Sequence, residues 1–408
     1  MRKTAKRDLT IEQQLARGPL DLPYLALVLL LTAIGLVMLL SASYASAYYN
    51  LDPSVDTGGN PYYYFLGQLK FAVAGVVGMY IVSKIDYQWW RGLSVPALAG
   101  SIFLLILVFT PLGRSSNGAR RWLDIGFSFQ PSELVKVAVI LFFAARLSKR
   151  KDQIKAPPKK WNRRTLRGRM GEFAENIGLL ELIPYAVILL LILFLLYKQP
   201  HMSGMILVCS GAAAVLFASG IRLYWFVGGG AAVGAALLFL ITQTEYMTAR
   251  MQSWLNPGSD LRGDGYQLWQ SQIAIGSGGL LGTGLGNSRQ KYMFLPEEHN
   301  DFVFAIVCEE LGLIGACLII ILFALLIVRG YWLALHARDR FGSLMIVGIN
   351  TQLAAQVILN IGVVTGALPT TGISLPFFSY GGTALMVQLA EVGLILAVSR
   401  QIVAPKEE

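Results

Sequence analysis

Ten long apolar runs restrict this chain to a fold that spans a membrane. A helix needs about 20 apolar residues to cross the hydrocarbon core of a bilayer. The predicted spans are roughly 22–46, 62–84, 94–112, 131–148, 181–198, 202–219, 223–241, 301–328, 344–363 and 381–400. Only 14% of the 408 residues are charged, whereas soluble domains carry about 25%. The sequence therefore predicts an all-α polytopic membrane protein with about ten transmembrane helices, and it excludes a soluble enzyme.

The distribution of Lys and Arg predicts how the spans are oriented. With the N-terminus inside, the inside segments hold 24 of the 34 basic residues and the outside segments hold 8. Cytoplasmic loops carry such an excess, so both termini are predicted to be cytoplasmic. The basic segment 149–180 is then a cytoplasmic loop. Segment 242–300 is a large extracellular loop between helices 7 and 8, and its composition predicts an ordered structure rather than a tether.

The same arrangement defines one membrane domain with two short tails. Residues 1–21 form a basic cytoplasmic N-terminal tail, residues 22–401 the transmembrane domain, and residues 402–408 a cytoplasmic C-terminal tail. The net charge of +10 raises the question of nucleic-acid binding. Because the basic residues flank the spans, they are predicted to face anionic membrane lipids instead, and no nucleic-acid partner is expected.

A first polar cluster surrounds the start of the fourth predicted helix. Segment 117–126 contains Arg120 and Arg121, and Glu133 and Lys136 follow Pro131 at the helix start. Residues three apart share a helix face, so Glu133 and Lys136 can pair. Two interpretations remain open: a charge pair that stabilises the helix, or the lining of a polar cavity that opens to the outside.

A second polar cluster precedes the eighth predicted helix. It runs from Ser288-Arg289-Gln290-Lys291 to His299-Asn300-Asp301. A carboxylate such as Asp301 at a helix N-terminus is either a simple cap or a general base in an outward-facing cavity. Arg289 and Lys291 would supply cations beside it, a combination that suits a phosphate or pyrophosphate substrate.

Two further acidic residues, Glu309 and Glu310, lie on the same helix. At about 100° per residue they cannot both face the side on which Asp301 lies. At least one of them is therefore predicted to pair with another helix. The glycine-rich run Gly276–Gly286 follows no strand and is not a dinucleotide fingerprint. It predicts either close approach of backbone segments to each other or close approach of the backbone to a ligand.

Taken in order, these motifs resemble the SEDS family, whose members include FtsW, RodA and SpoVE. The stretches that carry the resemblance are Asn117–Gly126, Phe129–Lys136, Gly282–Lys291, Leu295–Gly312 and Leu368–Thr383. The similarity covers about residues 22–401, and the run Pro369–Thr383 favours the FtsW/SpoVE branch over RodA.

The resemblance implies a peptidoglycan glycosyltransferase. Such proteins polymerise lipid II, an undecaprenyl-pyrophosphoryl disaccharide-pentapeptide, into β-1,4-linked strands at the outer face of the bacterial cytoplasmic membrane. A class B penicillin-binding protein would be the partner, within the divisome or a related complex for cell division or sporulation. A divalent cation, Mg or Mn, could add to the stabilisation of the leaving pyrophosphate but is not required by the resemblance.

The resemblance also implies a set of site residues, combined here with the polar clusters described above. The expected catalytic residues are Asp301, Glu133 and Lys136. The expected substrate-binding residues are Arg120, Arg121, Ser288, Arg289, Lys291, His299, Ser379 and Tyr380. The chain departs from the family at His201, where Gln-Pro-Asp is usual. We expect His201 to be a neutral polar substitute; a pH-sensitive group is the alternative.

Two other functions compete with the enzyme. A lipid II flippase would carry coupling charges near the bilayer midplane and often repeat symmetry, whereas the polar motifs here gather on one side. A non-catalytic scaffold for a transpeptidase would leave Asp301 as no more than a helix cap. The sequence favours the glycosyltransferase.

Overall fold

Helices form most of the computed structural model of the chain. It describes residues 18–50, 55–116, 119–124, 126, 128–149, 172, 175, 178–243, 245–259 and 265–402. The helices among them are α1 (Leu22–Tyr48), α2 (Tyr63–Lys84), α3 (Tyr87–Leu107), α4 (Pro131–Leu147), α5 (Leu179–Lys198), α6 (Met202–Ala218), α7 (Leu223–Gln243), α8 (Glu245–Leu255), α9 (Tyr266–Gly278), α10 (Val303–His336), α11 (Arg340–Val364) and α12 (Gly382–Ser399). Most of the predicted N-terminal tail, most of the basic loop and nearly all of the C-terminal tail lie outside the described residues.

A helix lies at each of the ten predicted spans. Seven helices of the described part of the chain, α1, α2, α3, α5, α10, α11 and α12, are long and apolar enough to cross a membrane. Helix α6 is apolar but shorter, and α4 carries Glu133 and Lys136 in its first turns. Helices α8 and α9 lie within segment 242–300, so this stretch contains regular structure, as predicted.

Aspartate caps fix several helix starts that hydropathy misplaces. Asp86 caps α3 by accepting a hydrogen bond from Gln88 N at 2.9 Å, so α3 begins seven residues before the predicted start at 94. Asp339 caps α11 in the same way through Gly342 N. Its carboxylate also accepts a hydrogen bond from Tyr87 Oη at 2.7 Å. The side chain thereby ties the start of α3 to the start of α11.

A small antiparallel sheet corrects the all-α prediction. Its strands are β1 (Gly113–Ser116), β2 (Ala119–Asp124) and β3 (Ser128–Phe129), in the order β1-β2-β3. Leu123 on the central strand pairs with Gly113 on one side and Phe129 on the other. The strands have at most six residues, too short to show a clear alternation of polar and apolar residues.

The glycine-rich segment docks on a break in the longest helix. Within α10, Gly312 adopts φ 66° and ψ −171°, which interrupts the helical hydrogen bonds. Four bonds with the glycine segment replace them: Thr283 N to Glu309 O (2.9 Å), Gly284 N to Glu310 O (3.1 Å), Leu313 N to Gly279 O (2.9 Å) and Ile314 N to Leu280 O (3.2 Å). The predicted close approach of backbone is therefore confirmed, and its partner is the broken helix.

We expect Gly282→Ala to destabilise the chain by about 2 kcal/mol or more, as strained backbone costs roughly 1–3 kcal/mol before any clash. The residue has φ +81°, and an added Cβ would lie 2.1 Å from the carbonyl oxygen of Glu310. The matched control is Gly276→Ala in α9, where nothing lies within 4 Å of the added Cβ. Thermal unfolding in detergent should give a clearly lower melting temperature for Gly282→Ala than for the wild type, and no decrease for Gly276→Ala. Equal melting temperatures for the two variants would contradict the docking of the glycine-rich segment on α10.

Candidate active site

Asp301 lies at the junction of α10, α11 and the segment that joins α11 to α12. It is half-buried. Its carbonyl oxygen accepts a hydrogen bond from Asn360 Nδ2 on α11 at 2.8 Å. The same nitrogen donates to Ile373 O at 2.7 Å. An added Cβ on Gly372 would lie 3.4 Å from Asp301 Oδ2, so the carboxylate lies against this segment.

The position at which α10 begins tests whether Asp301 is a simple helix cap. The N-cap position is Phe302, and α10 begins at Val303. Phe302 has no side-chain acceptor for the first amides. Asp301 therefore lies one residue before the capping position, and its role as a general base stays a prediction.

An aromatic cluster packs around His299, two residues before Asp301. The rings of Tyr64 on α2 and His299 have centroids 4.5 Å apart, and Tyr64 meets Tyr380 edge-on at 5.0 Å. The backbone amide of Tyr380 donates to His299 O at 2.9 Å. Burial, with a smaller contribution from Tyr63, raises the pKa of Tyr380 above its ordinary value. The structure thus brings His299 and Tyr380 together and adds Tyr64, which the sequence analysis missed.

The segment before α12 is held by side chains that point inward. Ser379 Oγ accepts a hydrogen bond from Leu375 N at 2.7 Å. Gln68 on α2 donates to Ser379 O at 3.1 Å and accepts from Gly381 N at 3.1 Å. The hydroxyl of Ser379 therefore shapes this segment, and its predicted contact with substrate stays a prediction.

The Ser288–Lys291 motif is fixed by the two glutamates near the helix break. Glu309 accepts hydrogen bonds from Ser288 Oγ and from Arg289 N, the latter at 2.9 Å. Lys291 Nζ lies 3.0 Å from Glu310 Oε1, and both side chains are buried.

The predicted pairing of a glutamate with another helix is confirmed, because Ser41 on α1 donates to Glu310 at 2.7 Å. The side chain of Lys291 is engaged in internal contacts with Glu310 and Ser41. The side chain of Arg289 is exposed.

Glu133 and Lys136 form a buried ion pair on α4. Lys136 Nζ lies 2.7 Å from Glu133 Oε2. A third charged group, Glu391 on α12, is also buried, and its Oε1 accepts a hydrogen bond from Gln352 Nε2 at 3.3 Å. Sequence reasoning missed Glu391, although a single glutamate within an apolar run is a visible signal.

One face of α11 contacts both Glu391 and Asp301. Gln352, Gln356 and Asn360 recur every four residues and therefore share that face. Gln352 contacts Glu391, and Asn360 contacts Asp301. The helix rise separates these two positions by about 12 Å. Glu391 and Asp301 thus contact α11 at two different depths of the bundle.

The two arginines of β2 have different environments. Arg121 donates to the carbonyl oxygen of Gln199 at 3.3 Å and to that of Pro200. Its side chain holds the turn between α5 and α6. The side chain of Arg120 is exposed, which leaves it accessible to an anionic ligand.

His201 follows that turn and is buried. Burial, together with the charges of Arg121 and Lys136, lowers its pKa to about 3. Its Nε2 lies 3.4 Å from Gln130 Nε2. A neutral imidazole at physiological pH follows, which favours the neutral polar substitute over the pH-sensitive group.

His201 makes a testable contribution to acid stability. The unfolded chain takes up a proton on this side chain below about pH 6.5, whereas the folded chain does so only near pH 3. Stability is therefore complete above pH 6.5 and falls as the pH is lowered. Between pH 7.5 and pH 5 the loss should be about 2 kcal/mol.

In His201→Gln this part of the pH dependence of the folding stability should disappear. The control is His336→Gln at an exposed histidine, which should keep it. Melting temperatures at pH 7.5 and pH 5 measure both. A His201→Gln chain that loses as much stability in acid as the wild type would contradict the assignment.

Within the part of the chain that the structure describes, no three His, Cys, Asp or Glu side chains are grouped as an all-protein metal site requires. A Mg ion is usually held by one or two carboxylates together with substrate phosphates. The Mg or Mn expected at the pyrophosphate therefore stays a prediction.

Known proteins resemble the chain over nearly its whole length. It is 38% identical to the probable peptidoglycan glycosyltransferase FtsW of Trichlorobacter lovleyi, over 93% of both chains. It is 40% identical to the stage V sporulation protein E of Bacillus subtilis, over 93% of this chain and 97% of that one.

Solved structures agree with these relatives. Rod shape determining protein RodA of Thermus thermophilus matches with TM-score 0.64 and 28% identity, over 94% of this chain and 97% of that one. A chain of a peptidoglycan synthase complex that coordinates polymerization and crosslinking matches with TM-score 0.71 and 27% identity, over 93% and 98%. The fold is RodA-like, and the location is a membrane crossed several times. Residues 22–403 match the cell cycle protein family named for FtsW, RodA and SpoVE, and the chain belongs to that family.

Proposed function

We propose that this chain is a peptidoglycan glycosyltransferase that polymerises lipid II into β-1,4-linked glycan strands. The observation that carries the proposal is the position of Asp301. Its side chain is half-buried and its backbone carbonyl is held by Asn360, in a chain whose relatives include a probable peptidoglycan glycosyltransferase. A carboxylate in that position suits a general base.

The proposed reaction is a single displacement with inversion. Asp301 accepts the proton of the 4-hydroxyl group of the acceptor sugar. As the proton leaves, the oxygen of that hydroxyl group attacks the anomeric carbon of the donor chain. The bond from that carbon to the pyrophosphate oxygen breaks, and undecaprenyl pyrophosphate leaves with its electron pair. An α-linked donor then gives a β-linked product without a covalent intermediate.

The leaving pyrophosphate needs positive charge as it departs. Among the five basic residues expected at the site, Lys291, Lys136 and Arg121 are used in internal contacts. The side chains of Arg120 and Arg289 are exposed. We therefore assign the pyrophosphate to Arg120 and Arg289, and we assign positioning roles to the other three.

The proposed topology has ten spans with both termini in the cytoplasm. The helix at each predicted span and the excess of basic residues in alternate segments support it. This topology puts the β-sheet, segment 242–300 and Asp301 at the outer face of the cytoplasmic membrane, where lipid II presents its sugars.

The proposed partner is a class B penicillin-binding protein, acting with this chain in division or sporulation. The similarity to a chain of a peptidoglycan synthase complex supports such a partner. The FtsW and sporulation relatives, at 38–40% identity, support that branch, since the RodA structure is 28% identical.

A lipid II flippase is the second candidate, favoured by one observation. Glu133, Lys136 and Glu391 are buried between helices, and charges inside a membrane bundle commonly mark a transport path. The mutual pairing of Glu133 and Lys136 at 2.7 Å fits a structural role equally well.

One experiment separates the two functions. The purified chain and its penicillin-binding partner are supplied with lipid II, while a β-lactam blocks crosslinking, and glycan strands are resolved on a gel. Fluorescent lipid II in sealed liposomes reports movement between leaflets in parallel. Polymer from the wild-type complex supports the proposal; movement between leaflets with no polymer would overturn it in favour of the flippase.

A further inference from the structure

Asn360 makes the contact that fixes the backbone of Asp301. Its side chain is 1% exposed and lies in the last turns of α11. Both hydrogen bonds of its amide nitrogen go to carbonyl oxygens outside α11, at Asp301 (2.8 Å) and Ile373 (2.7 Å). The acceptor oxygen of the same side chain has no hydrogen-bond partner among the described residues. The hydrogen bonds of the buried Asn360 side chain are therefore the two that its amide nitrogen donates to these carbonyl groups.

Of the two carbonyl groups that Asn360 holds, one belongs to Asp301 itself and the other to the segment against which the Asp301 carboxylate lies. Ile373 directly follows Gly372, which lies against Asp301 Oδ2. Gly372 has φ +68°, a left-handed conformation that favours glycine. One planar amide thus sets the spacing between Asp301 and the segment against which its carboxylate lies.

We propose that Asn360 is a positioning residue that holds Asp301 in the orientation of a general base. The inference rests on the proposed glycosyltransferase function and extends it to a residue that does not touch substrate. A base misplaced by about 1 Å can lose a hundredfold in rate, so a donor that locks the backbone beside it acts directly on the chemical step.

Gln356, one helical turn earlier on the same face of α11, provides a matched comparison. It is also buried, and it donates from Nε2 to Ser374 O at 3.0 Å. Gln356 therefore holds the same segment through the same type of bond, but within the described part of the chain its hydrogen bonds go to Ser374 rather than to Asp301. A general loss of support for the segment should affect both residues; loss of Asp301 positioning should affect Asn360 alone.

The test compares Asn360→Leu, Asn360→Asp, Gln356→Leu, Asp301→Asn and wild type in complex with the partner. Lipid II polymerisation gives kcat and KM for each, and melting temperature and partner binding report folding. We expect Asn360→Leu to lower kcat about ten- to hundredfold with KM within twofold. Gln356→Leu should keep kcat within threefold. The isosteric Asn360→Asp lacks the donors and adds a negative charge, which should move the acidic limb of the pH–rate profile to higher pH.

The outcomes separate this inference from the function on which it rests. An active wild type, an inactive Asp301→Asn and an Asn360→Leu with wild-type kcat and pH profile would overturn the inference alone. Equal losses of kcat in Asn360→Leu and Gln356→Leu that follow their melting temperatures would overturn it too, because they indicate structural support only. If the Leu variant does not fold, the pH profile of Asn360→Asp decides. An inactive wild-type complex would overturn both proposals.

Discussion

Glu310→Ala should lower the free energy of unfolding by about 3–5 kcal/mol, the usual cost of removing one partner of a buried ion pair. Lys291 would be left charged at 2% exposure. The hydroxyl of Ser41 and the backbone amide of Ser288 would also lose their acceptor on Glu310. Because these groups join α1 to the segment before α10, the loss should appear as a large fall in the melting temperature of the detergent-solubilised chain.

Two further variants identify the cause of that loss. Glu310→Gln keeps the size and an acceptor but removes the charge, so it should lose less. Replacing both members of the pair, Lys291→Met with Glu310→Leu, removes the unpaired charge and should recover much of the stability. A double variant as unstable as Glu310→Ala would show that the charge pair is not the reason.

The membrane-spanning helices were accessible from the sequence because hydropathy depends on local composition alone. The ends of these helices were harder to predict, since an end is set by a specific side chain such as Asp86 at the start of α3. The β1–β3 sheet was missed because its longest strand has six residues and carries two adjacent arginines.

At the site, helix geometry predicted one feature correctly. Residues Glu309 and Glu310 differ by about 100° around the axis, which required a partner outside the cavity for at least one of them. Ser41 and the Ser288–Lys291 motif supply those partners. The motif itself indicated which residues matter but not what they contact, because a short spacing carries no information on neighbours from other helices.

Asn360, Glu391 and Tyr64 were missed for a related reason. Asn360 and Glu391 each lie within an apolar run, Tyr64 is one of three consecutive tyrosines, and each of the three residues meets a partner far along the chain. Asn360 and Asp301 are 59 residues apart, and Tyr64 contacts His299 from α2. Only the packing of helices brings these pairs together.

Asp301→Asn should reduce the kcat of polymerisation by at least a hundredfold, since general-base catalysis contributes about 10²–10⁴. The amide has the shape of the carboxylate but cannot accept the proton of the attacking hydroxyl group. The bond from Asn360 reaches the backbone carbonyl of residue 301, so the fold around the substitution should persist. Melting temperature and partner binding should therefore match those of the wild type.

The most direct test of the account is glycan-strand synthesis from lipid II by wild type and Asp301→Asn, each bound to the same partner with crosslinking blocked. The account predicts strands from the wild type and none above background from the variant over the same time. If a folded, partner-bound variant makes strands at the wild-type rate, Asp301 is not the base and the proposed mechanism is wrong.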